Sequence, residues 1–233
     1  MSRSSATENG GSAIRAVSGL VLFAAGLYVF YAGLREAFLI PRMSPTRLGF
    51  VSGMAVYLLA HRFIGTRDFF DTFTHELTHT IASMLSGGRP KEFLATDANG
   101  GHASLTRVNA FVVLAPYSVP LWALMGVLAF RLLLWVRAAP FILPFVTFYV
   151  GLSFMHHLLC QFYGARPYQT DLQRYGHIFS YGFIVFVNAL VLGHIFLFTM
   201  YQKLTWSYFF VKIHFLLARD LASLSALFGG RAL

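Results

Sequence analysis

The 233-residue sequence predicts an all-α multi-pass membrane protein with about six transmembrane helices and a short β-hairpin after the third of them. Three observations carry that expectation. Charged residues make up only 12% of the chain and hydrophobic residues 57%. A soluble domain carries about 25% charged residues, so too few remain here to coat a globule of this size. The mean hydropathy is +0.62, and four uncharged runs each approach or exceed the roughly 20 residues of helix that cross a hydrocarbon core. The basic residues, 18 Lys and Arg against 9 Asp and Glu, fall in twos and threes between those runs. That placement suits side chains snorkelling to lipid headgroups and argues against a nucleic-acid partner. The single cysteine, Cys160, excludes an intrachain disulfide framework.

Residues 1–13 form a polar N-terminal tail, residues 14–203 the membrane-embedded domain, and residues 204–233 an interfacial C-terminal helix and tail. The uncharged runs cover 16–34, 108–130, 138–165 and 175–202. A shorter run, 48–61, is flanked by Arg47 and Arg62, which reach outward and allow a further span. The stretch 68–85 is apolar apart from Asp71, His75, Glu76 and His79. Ionisable groups at membrane depth are costly and mark function, so this stretch is read as the third span in chain order and the one that carries a site. Segments 91–96 and 102–108 flank an Asn-Gly-Gly turn at Asn99, which predicts the hairpin. Pro116 and Pro120 enter the fourth span early, and Pro140 and Pro144 the fifth, so both helices kink or begin irregularly. Residues 206–227 read as an interfacial amphipathic helix. Basic residues divide almost evenly between the two sides, so charge sets no orientation.

The chemistry concentrates at Thr74-His75-Glu76-Leu77-Thr78-His79-Thr80, which contains HExxH. Imidazoles at i and i+4 stand one above the other on one helix face, close enough to share a zinc ion. Glu76, on the adjacent face, is placed to act as general base toward a water held at that ion. A catalytic zinc takes three protein ligands and keeps a fourth position open. Asp171 is the only acid between Asp97 and Asp220 and is a candidate third ligand. The alternative role, an N-cap for the last span, is the less favoured of the two. His156 and His157 compete for the ligand position; as neighbours on a helix they point about 100° apart, so at most one faces the site. Asp71, four residues before His75, either holds that ring's second nitrogen or complements the helix dipole, and the dipole role is preferred. Asn109, His156 and His157 are candidates for stabilising an oxyanion.

An HExxH in an apolar helix, Gly87-Gly88 and a hairpin just after it, and a distant Asp between later spans together resemble the site-2-protease-like intramembrane zinc metalloproteases. The likeness covers roughly residues 50–200. It implies that His75, His79 and Asp171 bind one zinc, that Glu76 is the general base, and that the hairpin binds substrate by strand addition. Asp171 is followed by Leu172 where better-known members have Gly, which is similar to a compact branch of that family.

The expected function is hydrolysis of peptide bonds in membrane-protein substrates, within or beside the bilayer of the cell membrane. The alternatives are a non-proteolytic scaffold or transporter that keeps a zinc or polar site, and a zinc hydrolase acting on lipid. An intact Glu76 between the two histidines favours an enzyme, since a structural zinc site needs no base.

Overall fold

In a computed structural model, residues 3–38, 44–64, 68–96, 101–137, 139–200 and 206–229 are described. The elements run α1 (Arg3–Phe38), α2 (Pro45–Ile64), α3 (Asp68–Leu85), β1 (Pro90–Ala95), β2 (Gly101–Leu105), α4 (Ala110–Leu114), α5 (Leu121–Trp135), α6 (Leu143–Gly164), α7 (Thr170–Tyr175), α8 (His177–Met200) and α9 (Trp206–Gly229). The described residues are mainly helical with one two-stranded antiparallel sheet among them.

Two helix pairs frame the molecule, α1 with α8 and α2 with α6. Glycine sets how closely each pair approaches. A methyl group at Gly151 of α6 would strike the carbonyl oxygen of Phe50, and one at Gly53 of α2 would strike that of Phe148. Gly19 and Gly182 do the same for α1 and α8. Small residues at such crossings let backbones pack where lipid gives no hydrophobic drive between helices. Between the pairs, Phe50, Ala123, Val150, Phe154 and Ile195 form a buried core joining α2, α5, α6 and α8.

Among the described residues three helical stretches are long and apolar enough to cross a membrane: Gly11–Arg35, Pro140–Gly164 and His177–Ile195. A fourth crossing arises if the bent pair Ala110–Tyr117 and Leu121–Trp135 counts as one. The expected fourth span is therefore not a straight helix. It breaks through a 3-10 turn at Ala115–Tyr117 and bends by 85°, because Pro116 and Pro120 have no N–H to continue the ladder. The fifth opens irregularly, as its prolines require, with a 3-10 turn at Pro140–Ile142. α2 and α3 are helices of 20 and 18 residues but fall outside the apolar set. Arg47, His61 and Arg62 dilute α2, and Asp71, His75, Glu76 and His79 dilute α3. The outer surface suits hydrocarbon: Leu59, Phe63, Trp135 and Phe145 are each more than two-thirds exposed.

The hairpin pairs Ala95 with Gly101 and Pro90 with Leu105, with an irregularity between Pro90 and Glu92. Its expected turn at residues 97–100 lies outside the described residues. Gly87, at φ 78°, ends α3 in the left-handed region, and the Gly88 N–H closes on the Ser83 carbonyl at 2.8 Å. Ser83 Oγ donates to the Arg107 carbonyl at 2.9 Å and Arg107 donates to the Ser86 carbonyl at 2.8 Å. Those bonds fold β2 back along α3. At the amino end, α1 extends through the expected polar tail to Arg3. At the carboxyl end, α9 is tied to α1 through Asp220, which accepts from Tyr28 at 3.2 Å and pairs with Arg35 at 3.3 Å.

Replacing Gly151 by Leu is expected to force α6 from α2 and lower stability by about 1–3 kcal/mol, the range for overpacking. Gly33→Ala, where the new methyl meets nothing within 4 Å, should be neutral. Thermal unfolding of the two variants in detergent checks this, and equal melting temperatures would refute the close-packing account.

Candidate metal centre

The spacing of HExxH on α3 delivers what helix geometry requires: His75 and His79 present their Nε2 atoms 3.1 Å apart. The third side comes from α7. Asp171 Oδ2 lies 3.5 Å from His75 Nε2 and 3.4 Å from His79 Nε2. A tetrahedral ion with ligand bonds of about 2.1 Å has donor–donor edges of about 3.4 Å. All three edges fall near that value, so the side chains are spaced for one shared ion. Two imidazoles and a carboxylate are also donors that suit a divalent transition metal.

His79 and Asp171 are held by hydrogen bonds and His75 by a ring contact. His79 Nδ1 lies 2.8 Å from the Val112 carbonyl oxygen. A carbonyl only accepts, so Nδ1 carries the proton and Nε2 keeps its lone pair for a ligand. This carbonyl is available because Pro116, four residues on, has no N–H to give it. The same proline that breaks the span thus helps build the site. The His75 ring stands edge-on to Tyr117 with centroids 5.3 Å apart, and the Tyr117 hydroxyl donates to Asp171 Oδ2 at 3.4 Å. Trp122 Nε1 donates to Thr74 Oγ1 at 3.0 Å, pinning α3 against α5 one residue before the motif.

Asp171 does not cap the last span; α7 is a separate short helix whose N-cap is Gln169. Its neighbour Leu172 is the anchor: fully buried, it packs with Val113, Leu114, Tyr117 and Ile184, and its carbonyl accepts from Ser180 Oγ at 3.0 Å. A glycine there would forfeit that anchor. Burial pushes the Asp171 carboxyl up, but the positive character between the imidazoles, protons on His75 and His79 or an ion in their place, holds it below the usual carboxylate range.

Glu76 is buried beside the donors, under β2. A methyl group on Gly101 would lie 2.5 Å from Glu76 Cγ and 3.0 Å from its Oε1, so the strand crosses directly over this carboxyl. Glu76, His75, His79 and Asp171 share a groove of about 320 Å3 with Gly101, His102 and Arg174.

The other candidates lie elsewhere. His156 turns to Asp71, with Nε2 at 3.5 Å from Oδ1, and its Nδ1 is 2.6 Å from the Tyr57 hydroxyl. His157 contacts Gln161, which is bonded to Asn188. Neither is the third donor. Asp71 does not hold His75, because its carboxylate reaches across to α6 instead. Asn109 is the N-cap of α4: its Oδ1 accepts from the Val112 N–H at 2.9 Å and its Nδ2 donates to Ser86 Oγ at 3.2 Å, so the amide is engaged at the end of α3. Sequence reasoning missed Val112, Tyr117, Trp122 and Gly101. Only Pro116 carried a signal, since a proline always releases the carbonyl four residues back.

No protein-family model, curated protein or solved structure matches the chain. The reading of the site therefore stands on its geometry.

His79→Ala should abolish metal retention at this centre, lowering the content by one ion per chain. Pro116→Ala, which restores a competing N–H, should weaken it about tenfold, at the low end for loss of a supporting bond. Metal content after dialysis against a graded chelator series measures both; retention by His79→Ala at the wild-type level would refute the assignment.

Proposed function

We propose that the chain is an intramembrane zinc metalloprotease that hydrolyses peptide bonds of membrane-protein substrates in or beside the bilayer. The observation that carries this reading is the set of three donors at tetrahedral spacing, with Glu76 alongside them in one groove roofed by a β-strand. Counting α2, α3 and the bent pair, the chain crosses six times. The exposed apolar side chains of α2 and the adjacency of α3 to the spanning α5 and α6 support that count.

The donor set suits zinc, which supplies Lewis acidity to polarise the scissile carbonyl and to acidify water. This chain's own residues do the rest. β2 brings Gly101, His102, Ala103 and Leu105 to the groove, so an extended substrate pairing beside it meets the donors with its backbone straightened. Such pairing matters because a helical amide is hydrogen-bonded and shielded. Glu76 accepts a proton from the attacking water as the carbon–oxygen bond forms. It then delivers that proton to the departing amide nitrogen as the carbon–nitrogen bond breaks. Burial under β2 keeps bulk water from competing for it.

Glu76→Gln should lower cleavage of single-span membrane proteins co-reconstituted in vesicles by about 100-fold or more, the span of general base catalysis. Its metal content and helical circular dichroism should match wild type. Undiminished cleavage by this variant would exclude the proposal. No cleavage by metal-loaded wild type across such a substrate library would favour a scaffold or transporter.

Gly101→Val should displace either β2 or the Glu76 side chain. The expected outcome is cleavage reduced at least tenfold with metal content unchanged. Normal cleavage in this variant would remove β2 from the mechanism.

A further inference from the structure

We infer that the chain holds a second metal site, formed by Asp71, His156 and Cys160, for a borderline-soft divalent transition ion of the zinc class. The site shares no ligand with the first and does not rest on the protease reading. Asp71 lies on α3 one turn before His75, while His156 and Cys160 stand at i and i+4 on α6. That is the spacing that places His75 and His79 together, here used with a thiol as the second donor.

The geometry is that of a coordination shell. Asp71 Oδ1 is 3.5 Å from His156 Nε2 and 3.4 Å from Cys160 Sγ, and Sγ is 3.8 Å from Nε2. With bonds of about 2.3 Å to sulfur and about 2.1 Å to nitrogen and oxygen, tetrahedral edges are about 3.4–3.6 Å. The donor side chains of Asp71 and His156 are 22% and 15% exposed, so they are mostly removed from water. All three residues line a cavity of about 110 Å3, which has room for a water to complete the ligand set.

The Tyr57 hydroxyl, 2.6 Å from His156 Nδ1, is able to accept the ring proton there, and in that tautomer Nε2 is free for the ion. Binding releases the thiol proton to solvent. A carboxylate and a thiolate together cancel the charge of a divalent ion, so the loaded cluster is neutral among apolar helices, where net charge is costly. Thiolate and imidazole select against calcium and magnesium. The ion would cross-link α3 to α6 and, through Tyr57, to α2.

The test exploits the fact that the chain has one cysteine, so any thiolate–metal signal reports this site alone. Reduced, detergent-purified full-length protein is titrated with Co2+ and followed by its thiolate-to-cobalt charge-transfer absorption in the near ultraviolet. The expected result is a band whose amplitude corresponds to one thiolate–cobalt bond per chain. It should be absent in Cys160→Ser and retained in His79→Ala. His156→Ala and Asp71→Ala should each require at least tenfold more cobalt. Folded wild-type protein without the band would overturn the inference, and this arm needs no variant to fold. A band that either His156→Ala or Asp71→Ala leaves unmoved would overturn it as well, since Cys160 would then be binding cobalt on its own.

Discussion

The bond from His79 Nδ1–H to the carbonyl of Val112 is the interaction on which the site depends. It joins the helix that carries two donors to the broken span that supports the third. The carbonyl is available because Pro116 cannot donate to it, and the break that proline helps cause turns α4 away from α5 by 85°. That bend brings Val113, Leu114 and Tyr117 against Leu172, and Leu172 fixes the short helix presenting Asp171. One missing N–H therefore sets the tautomer of one donor and shapes the seat of another. Backbone irregularity at membrane depth is tolerable where protein surrounds it, and here the surroundings are the site.

Electrostatics explains why α3 keeps its polar stripe. Asp71, His75 and His79 fall at successive four-residue steps along one face. The first meets His156 and Cys160 of α6, and the other two meet Asp171 of α7. No member of the stripe faces lipid without a partner. Glu76 on the adjacent face is covered by β2, whose approach depends on Gly101 having no side chain. The glycine-mediated contact of α2 with α6 holds Tyr57 near His156 in the same way, by letting backbones meet.

Much of this was legible in the sequence where the signal is local. HExxH fixes His75, Glu76 and His79 because helix periodicity alone decides where they point. Asp171 stood out as a lone acid in a long acid-free stretch, although whether it ligated or capped depended on tertiary packing around Leu172. The prolines announced a break, but not its angle, because the angle is set by what α4 packs against. Five uncharged runs and the ionisable stretch 68–85 predict six spans, whereas among the described residues length and hydropathy single out three helices and a bent pair that makes a fourth if counted as one. The difference falls on α2 and α3, which are diluted by Arg47, His61 and Arg62 and by Asp71, His75, Glu76 and His79. Cys160 was unreadable: its partner Asp71 lies 89 positions away and on a different helix.

The most direct test is zinc-edge X-ray absorption on metal-loaded Cys160→Ser protein, in which the thiol cannot contribute. The account predicts a first shell of nitrogen and oxygen only, at about 2.0–2.1 Å, with the outer-shell scattering of two imidazole rings. A spectrum without imidazole scattering, or folded protein that takes up no zinc, would contradict it.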